Sequence, residues 1–201
     1  MKTADDPVAA AKTRVQEIPD SSSPALRRKT PFHDKAARLF LALWPSPRVQ
    51  AALLDYQKAW HWNARVSLVR PENLHLTLHF MGNVPRDRLA LLIQGLAVPL
   101  TPFTLTFGQP DLWPSGMAVL APQASPANFR QLHDLLGQAL QRLELPVENR
   151  EFRPHITLAR RASCALPPAH KLELHWPVQD YALVESVAEP TGQYRLLQRY
   201  A

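Results

Sequence analysis

The chain has 201 residues, 46% of them hydrophobic, and no apolar run approaches the roughly 18 residues a membrane helix needs, so it reads as one soluble domain or two small lobes sharing a core. A formal charge of +6 and a pI near 9.8 suit an anionic partner, which excess Lys and Arg attract at long range, without identifying one. The single cysteine, Cys164, excludes an internal disulfide and fits a reducing cytoplasm.

Residues 1–35 hold Ser21, Ser22, Ser23 and Pro24, scattered charges and the basic run Arg27-Arg28-Lys29, with no periodic apolar face. They read as a disordered or weakly structured extension, and residues 36–201 as the folded part. Without an apolar core the extension does not read as a secretory signal. Arg38–Trp44 predicts a strand stopped by Pro45 and Pro47, with Ser46 capping a helix that carries Val49, Leu53, Tyr56 and Trp60 on one face. A short strand at Ser67–Val69, a turn at Pro71-Glu72-Asn73 and a second helix over Arg86–Leu96 follow. Phe103–Phe107 and Met117–Leu120 predict two strands joined by a turn-rich link at residues 110–116. Ser125 and Pro126 then open the clearest helix, striped by Phe129, Leu132, Leu136, Leu140 and Leu143. Lys171–His175, Tyr181–Val187 and Tyr194–Gln198 predict further strands, the last after a turn at Thr191-Gly192. The order is α+β with an internal near-repeat, which two lobes facing each other across a cleft accommodate.

The near-repeat is carried by two strand-like stretches, His75-Leu76-Thr77-Leu78-His79-Phe80 and, eighty positions on, His155-Ile156-Thr157-Leu158. Strict alternation puts His75, Thr77 and His79 on one face of the first and Leu76, Leu78 and Phe80 on the other. The second divides likewise, with His155 and Thr157 opposite Ile156 and Leu158. Whether the strands lie side by side or face each other, two imidazoles and two hydroxyls converge. Histidine serves as either acid or base near neutrality because its ordinary pKa is about 6.5. A phosphodiester split without a metal needs one of each, plus donors for the charge that builds on the phosphoryl oxygens, and the threonine hydroxyls supply those. Arg160 offers a charge-assisted contact, but alternation sends it to the face opposite His155 unless the strand ends or bulges near Ala159.

These motifs resemble the paired His-x-Thr-x motifs of the 2H phosphoesterase superfamily. Arg38-Leu39-Phe40, Glu72-Asn73-Leu74, Gly82, Arg153-Pro154 and Ala159-Arg160 narrow the resemblance to the RNA 2′,3′-cyclic phosphodiesterases, or 2′-5′ RNA ligase family, over roughly residues 38–200. The resemblance implies a bilobal α+β fold, with pseudo-symmetric antiparallel sheets lining a central cleft and helices outside. It implies opening of an RNA or nucleotide 2′,3′-cyclic phosphate to a 2′-phosphomonoester, with no metal and no cofactor, and a weak reverse ligation. On that reading His155 is the base acting on water and His75 the acid protonating the leaving 3′-oxygen. Thr77, Thr157 and Arg160 hold the phosphate.

The same residues admit plainer readings. A non-catalytic RNA-binding protein would keep the pocket without the chemistry. His79 faces the cleft by alternation but reads better as a rim or structural residue. A zinc site built from His75, His79 and His155 would leave the paired threonines unexplained. His33, His61, His133, His170 and His175 have no repeated partner and read as surface or structural. Phe40 suits stacking on a nucleobase and core packing equally. Trp113 lies where it would meet RNA or be buried under its own loop. No exposed heptad or patch calls for more than a monomer.

Overall fold

The computed structural model describes residues 35–187 and 193–201. The expected N-terminal extension, Lys35 apart, and the Thr191-Gly192 turn lie outside the described residues. The strands are β1 (Ala36–Leu43), β2 (Ser67–Leu68), β3 (Leu76–Pro85), β4 (Phe103–Trp113), β5 (Met117–Pro122), β6 (Ile156–Arg160), β7 (Leu174–Val178), β8 (Tyr181–Ser186) and β9 (Tyr194–Tyr200). The helices are α1 (Pro47–Lys58), α2 (Leu89–Gly95) and α3 (Ala127–Arg142), with short 3-10 turns at Pro71–Asn73 and Arg86–Arg88.

All nine strands join one antiparallel sheet in the order β7-β4-β5-β6-β3-β1-β8-β9, with β2 paired to β6. The units β1-α1-β3 and β5-α3-β6 are the two copies seen in the sequence. Their motif strands β3 and β6 are neighbours, meeting at Leu76 opposite Ile156, so the sheets of the two lobes run together at a near-twofold seam. The helices cross it: α1 packs against β7 of the other half and α3 against β3. Leu39, Leu41 and Leu43 of β1 and Phe129, Leu136 and Leu140 of α3 are fully buried in the shared core.

Local signals explain most boundaries. The hydroxyl of Ser46 accepts a hydrogen bond from the Val49 amide (3.4 Å), with Pro47 as the first helical residue of α1. Ser125 does not cap α3: Pro126 holds the boundary position in an extended conformation, which moves Ser125 one place outside it. The link at residues 110–116 is shorter than expected. β4 runs through Pro110 to Trp113, because its β7 neighbour ends opposite Phe107 and no partner there needs a Pro110 N–H. The turn is only Pro114-Ser115-Gly116, with Gly116 at φ +75. The strand expected over Lys171–His175 falls at Leu174–Val178, where Leu174, Trp176 and Val178 are buried and His175 and Pro177 are exposed.

Glu185 on β8 is buried and ion-paired to both Arg86 and Arg195. Burial pushes its carboxyl up, but the two guanidiniums win and hold it below the usual carboxylate range. A carboxyl depressed in the folded state stabilises above its unfolded pKa and loses that contribution as pH falls through the folded value. Glu185→Gln should therefore flatten the acid limb of the stability curve below about pH 4.5. Chemical denaturation at pH 3–7 measures this, and an unchanged acid limb would remove Glu185 from the explanation.

Candidate active site

A cleft of about 730 Å³ opens over the β3–β6 seam. Arg38, Phe40, His75, Thr77, Phe80 and Tyr194 line one side, and Ser67, Leu68, Met117, His155, Thr157 and Arg160 the other. The two histidines are anchored alike. His75 Nδ1 donates to the carbonyl of Asn73 (2.6 Å) and His155 Nδ1 to that of Arg153 (2.7 Å), in each case two residues upstream. A carbonyl only accepts, so Nδ1 carries the hydrogen and Nε2 is left for chemistry. Thr77 Oγ1 lies 3.1 Å from His75 Nε2 and donates to it while the ring is neutral.

The strands do not alternate strictly. Across β1, Leu41 faces His79 and Ala42 faces Thr77, so Leu78 is an extra residue; across β5, Ala118 faces Ala159 and Val119 faces Thr157, so Leu158 is extra. The same bulge thus occurs at the fourth position of both motifs, and it reverses the parity beyond. In β6 it turns Arg160 into the cleft, one residue earlier than the bulge the sequence called for. In β3 it turns Phe80 into the cleft, 38% exposed, and His79 out of it. This corrects the alternation reading at both positions. His79 is buried, donates from Nε2 to the His133 carbonyl on α3 (2.9 Å) and stacks on the His133 ring. It is a fastener between β3 and α3, and His75, His79 and His155 do not gather around one point. Among the described residues no group of three or more His, Cys, Asp or Glu is arranged to hold a metal.

The β6 bulge has its own brace. The carbonyl of Leu158 accepts from the Val69 amide (2.9 Å) and from Nε2 of the buried Gln57 on α1 (2.8 Å), and Gln57 also donates to Val69 O (2.9 Å). Arg160 leans on Met117 Sδ (3.5 Å) and takes part in no salt bridge found among the described residues.

Phe40 lines the cleft but is 4% exposed, because His75 and Tyr194 cover it, each with ring centroids 5.0 Å from it. It serves as a wall for His75, whereas the exposed Phe80, with the Arg38 guanidinium 4.9 Å from its centroid, is the better platform for a planar group. Trp113 is neither a free contact nor buried: it lies 4.4 Å from the His155 ring, with Arg153 stacked over it. Sequence reading missed Phe80, Trp44, Tyr194, Met117 and Gln57. For Phe80 a signal existed, since it stands five residues after His75 as Arg160 does after His155.

Burial pushes His75 down to about pKa 4, against the hydrogen bond to Asn73 O that raises it, and repulsion from His155 and Arg160 adds to the fall. His155 is also lowered, first by burial and then by Arg160, Arg150 and Arg153, while its hydrogen bond to Arg153 O opposes. Both rings are therefore neutral in the empty cleft at pH 7, and a phosphate anion bound between them raises both.

Known proteins resemble this chain in sequence and fold. Residues 44–187 match the sequence profile of the 2′-5′ RNA ligase superfamily. A Thermus thermophilus protein named RNA 2′,3′-cyclic phosphodiesterase is 32% identical over 180 residues, covering 82% of this chain and 89% of its own. An Escherichia coli protein of the same name is 31% identical over 171 residues, covering 82% and 96%. The crystal structure of Escherichia coli LigT complexed with 3′-AMP superposes with a TM-score of 0.74 at 27% identity, over 83% of this chain and 98% of that one. With one profile spanning residues 44–187 and relatives of 31–32% identity aligned over 82% of its length, the chain belongs to the 2′-5′ RNA ligase superfamily.

Proposed function

We propose that the protein hydrolyses RNA or nucleotide 2′,3′-cyclic phosphates to 2′-phosphomonoesters, with His155 as general base and His75 as general acid. The observation that carries this reading is the pair of Nε2 atoms freed by matching Nδ1–H···O=C anchors on opposite walls of one cleft. His155 Nε2 takes a proton from water as the water oxygen bonds to phosphorus. The P–O3′ bond breaks, and the Nε2 proton of His75 passes to O3′, leaving a 2′-phosphate and a 3′-hydroxyl. Three guanidiniums near His155 favour its neutral, basic form. The substrate's negative charge favours the protonated form of His75, and Thr77, released from Nε2, donates to a phosphoryl oxygen alongside Thr157 and Arg160. A ligating path, attack by a 5′-hydroxyl in place of water with the same P–O3′ bond broken, would give a 2′-5′ linkage through the same groups.

The test is incubation in EDTA with a short RNA ending in a 2′,3′-cyclic phosphate, followed by end-group identification. A 2′-phosphate product supports the assignment. Retained binding without turnover would instead favour a phosphate-binding protein, and recovery only on adding zinc would favour a metal site.

A further inference from the structure

Trp44 follows β1 directly, beyond Phe40 and Ala42 of the small cluster it packs against. Its indole lies nearly parallel to the His75 imidazole, centroids 5.4 Å apart and planes 7° from parallel. Tyr194 meets the same imidazole edge-on at 5.1 Å and 89°, and Phe40 meets it tilted at 5.0 Å. Behind these rings Phe40, Ala42, Ala182 and Val184 form a small buried cluster separate from the main core, against which Trp44 and Tyr194 pack. The wall around His75 is thus apolar and aromatic, and the charged or titratable groups acting on it are His155 and Arg160 across the cleft. His155 has a different setting: among the described residues its aromatic neighbour is Trp113, tilted by 54°, and Arg153 lies over the indole face.

A cation held against an aromatic face is attracted by the negative potential of the ring, the more so where water is excluded. We propose that Trp44 is a positioning residue for His75: its indole fixes the plane of the imidazole and stabilises that ring as a cation until its Nε2 proton leaves. The inference rests on the general-acid reading of His75. It makes one wall of the cleft a chemical component of the acid and not only a cover.

Trp44→Leu keeps the site apolar and removes the π face, and Trp44→Phe keeps a smaller one. Two readouts separate the possibilities: the pH dependence of kcat, and an NMR titration of the His75 ring with inorganic phosphate bound. The leucine variant should move the basic limb of kcat and the NMR midpoint of His75 downward by about 0.5–1 pH unit. The phenylalanine variant should fall between it and the wild type. An unmoved or raised midpoint in both variants overturns the proposal, since a mere cover that admits water when removed would raise it. A midpoint that falls while the kinetic limb stays fixed overturns the acid assignment of His75 and leaves the coupling to Trp44 standing.

Discussion

Replacing His75 and His155 together by alanine should lower turnover of a 2′,3′-cyclic phosphate by on the order of 10²–10⁴-fold, little more than the worse single replacement, while inorganic phosphate still binds through Thr77, Thr157 and Arg160. Each single replacement should cost on the order of 10²–10⁴. The double variant should fall only slightly below the worse single one, because an acid and a base that act in one transition state do not contribute independently. Near-additive losses would mean that the two rings contribute independently and not as a unit. The pH profile carries a second signature. For kcat/KM, which reports the free protein, both histidines titrate below 6.5, so the bell should peak on the acid side of that value. For kcat, which reports the complex, the anion between the rings raises both and moves the peak upward. The two limbs belong to the pair and not to either ring alone. A profile flat from pH 5 to 9 would rule out acid–base catalysis by these residues.

The second large effect is expected behind the cleft lining, at Gln57. Its amide spans Val69 O and Leu158 O, so it pins the bulge that turns Arg160 inward. Gln57→Met removes both hydrogen bonds while filling the space. It leaves buried carbonyls short of donors, at a cost of about 2–3 kcal/mol, or roughly 4–12 °C in Tm for a domain of this size. If the brace also aims Arg160, phosphate affinity falls with it. A double-mutant cycle with Arg160→Met decides the point. Full coupling, with the double variant binding phosphate no worse than Arg160→Met, places the functional effect of Gln57 in the orientation of Arg160. Additive losses in binding would mean that Gln57 acts by a route other than Arg160, and no loss in binding would confine it to stability.

The sequence made the paired histidines and threonines legible because the repeat itself is the signal: two like motifs with like offsets have few structural explanations. It also revealed the α+β order, since the stripes of α1 and α3 follow the helical period closely. The facing of residues beyond Thr77 and Thr157 was not legible. Periodicity holds only while a strand stays regular, and a single extra residue at Leu78 and at Leu158 exchanges the faces of His79, Phe80 and Arg160. Ser125 failed as a cap for a related reason, since one proline decided where α3 begins. The aromatic enclosure of His75 was hidden because Trp44, Phe40 and Tyr194 come from elements far apart in the chain, joined only through the β3-β1-β8-β9 order.

The seam between the two halves is narrow, with Leu76 opposite Ile156 as its paired contact, yet it is strapped on several sides. α1 reaches over to β7, α3 to β3, β2 to β6, and Gln57 to Leu158. A cleft held this way is not a jaw. These straps couple the two halves, so the spacing of His75 and His155 is tied to the packing of the fold itself. On the proposed reaction such a site would select by size: a five-membered cyclic phosphate would bring its leaving oxygen to the acid, and a larger or more open diester would not.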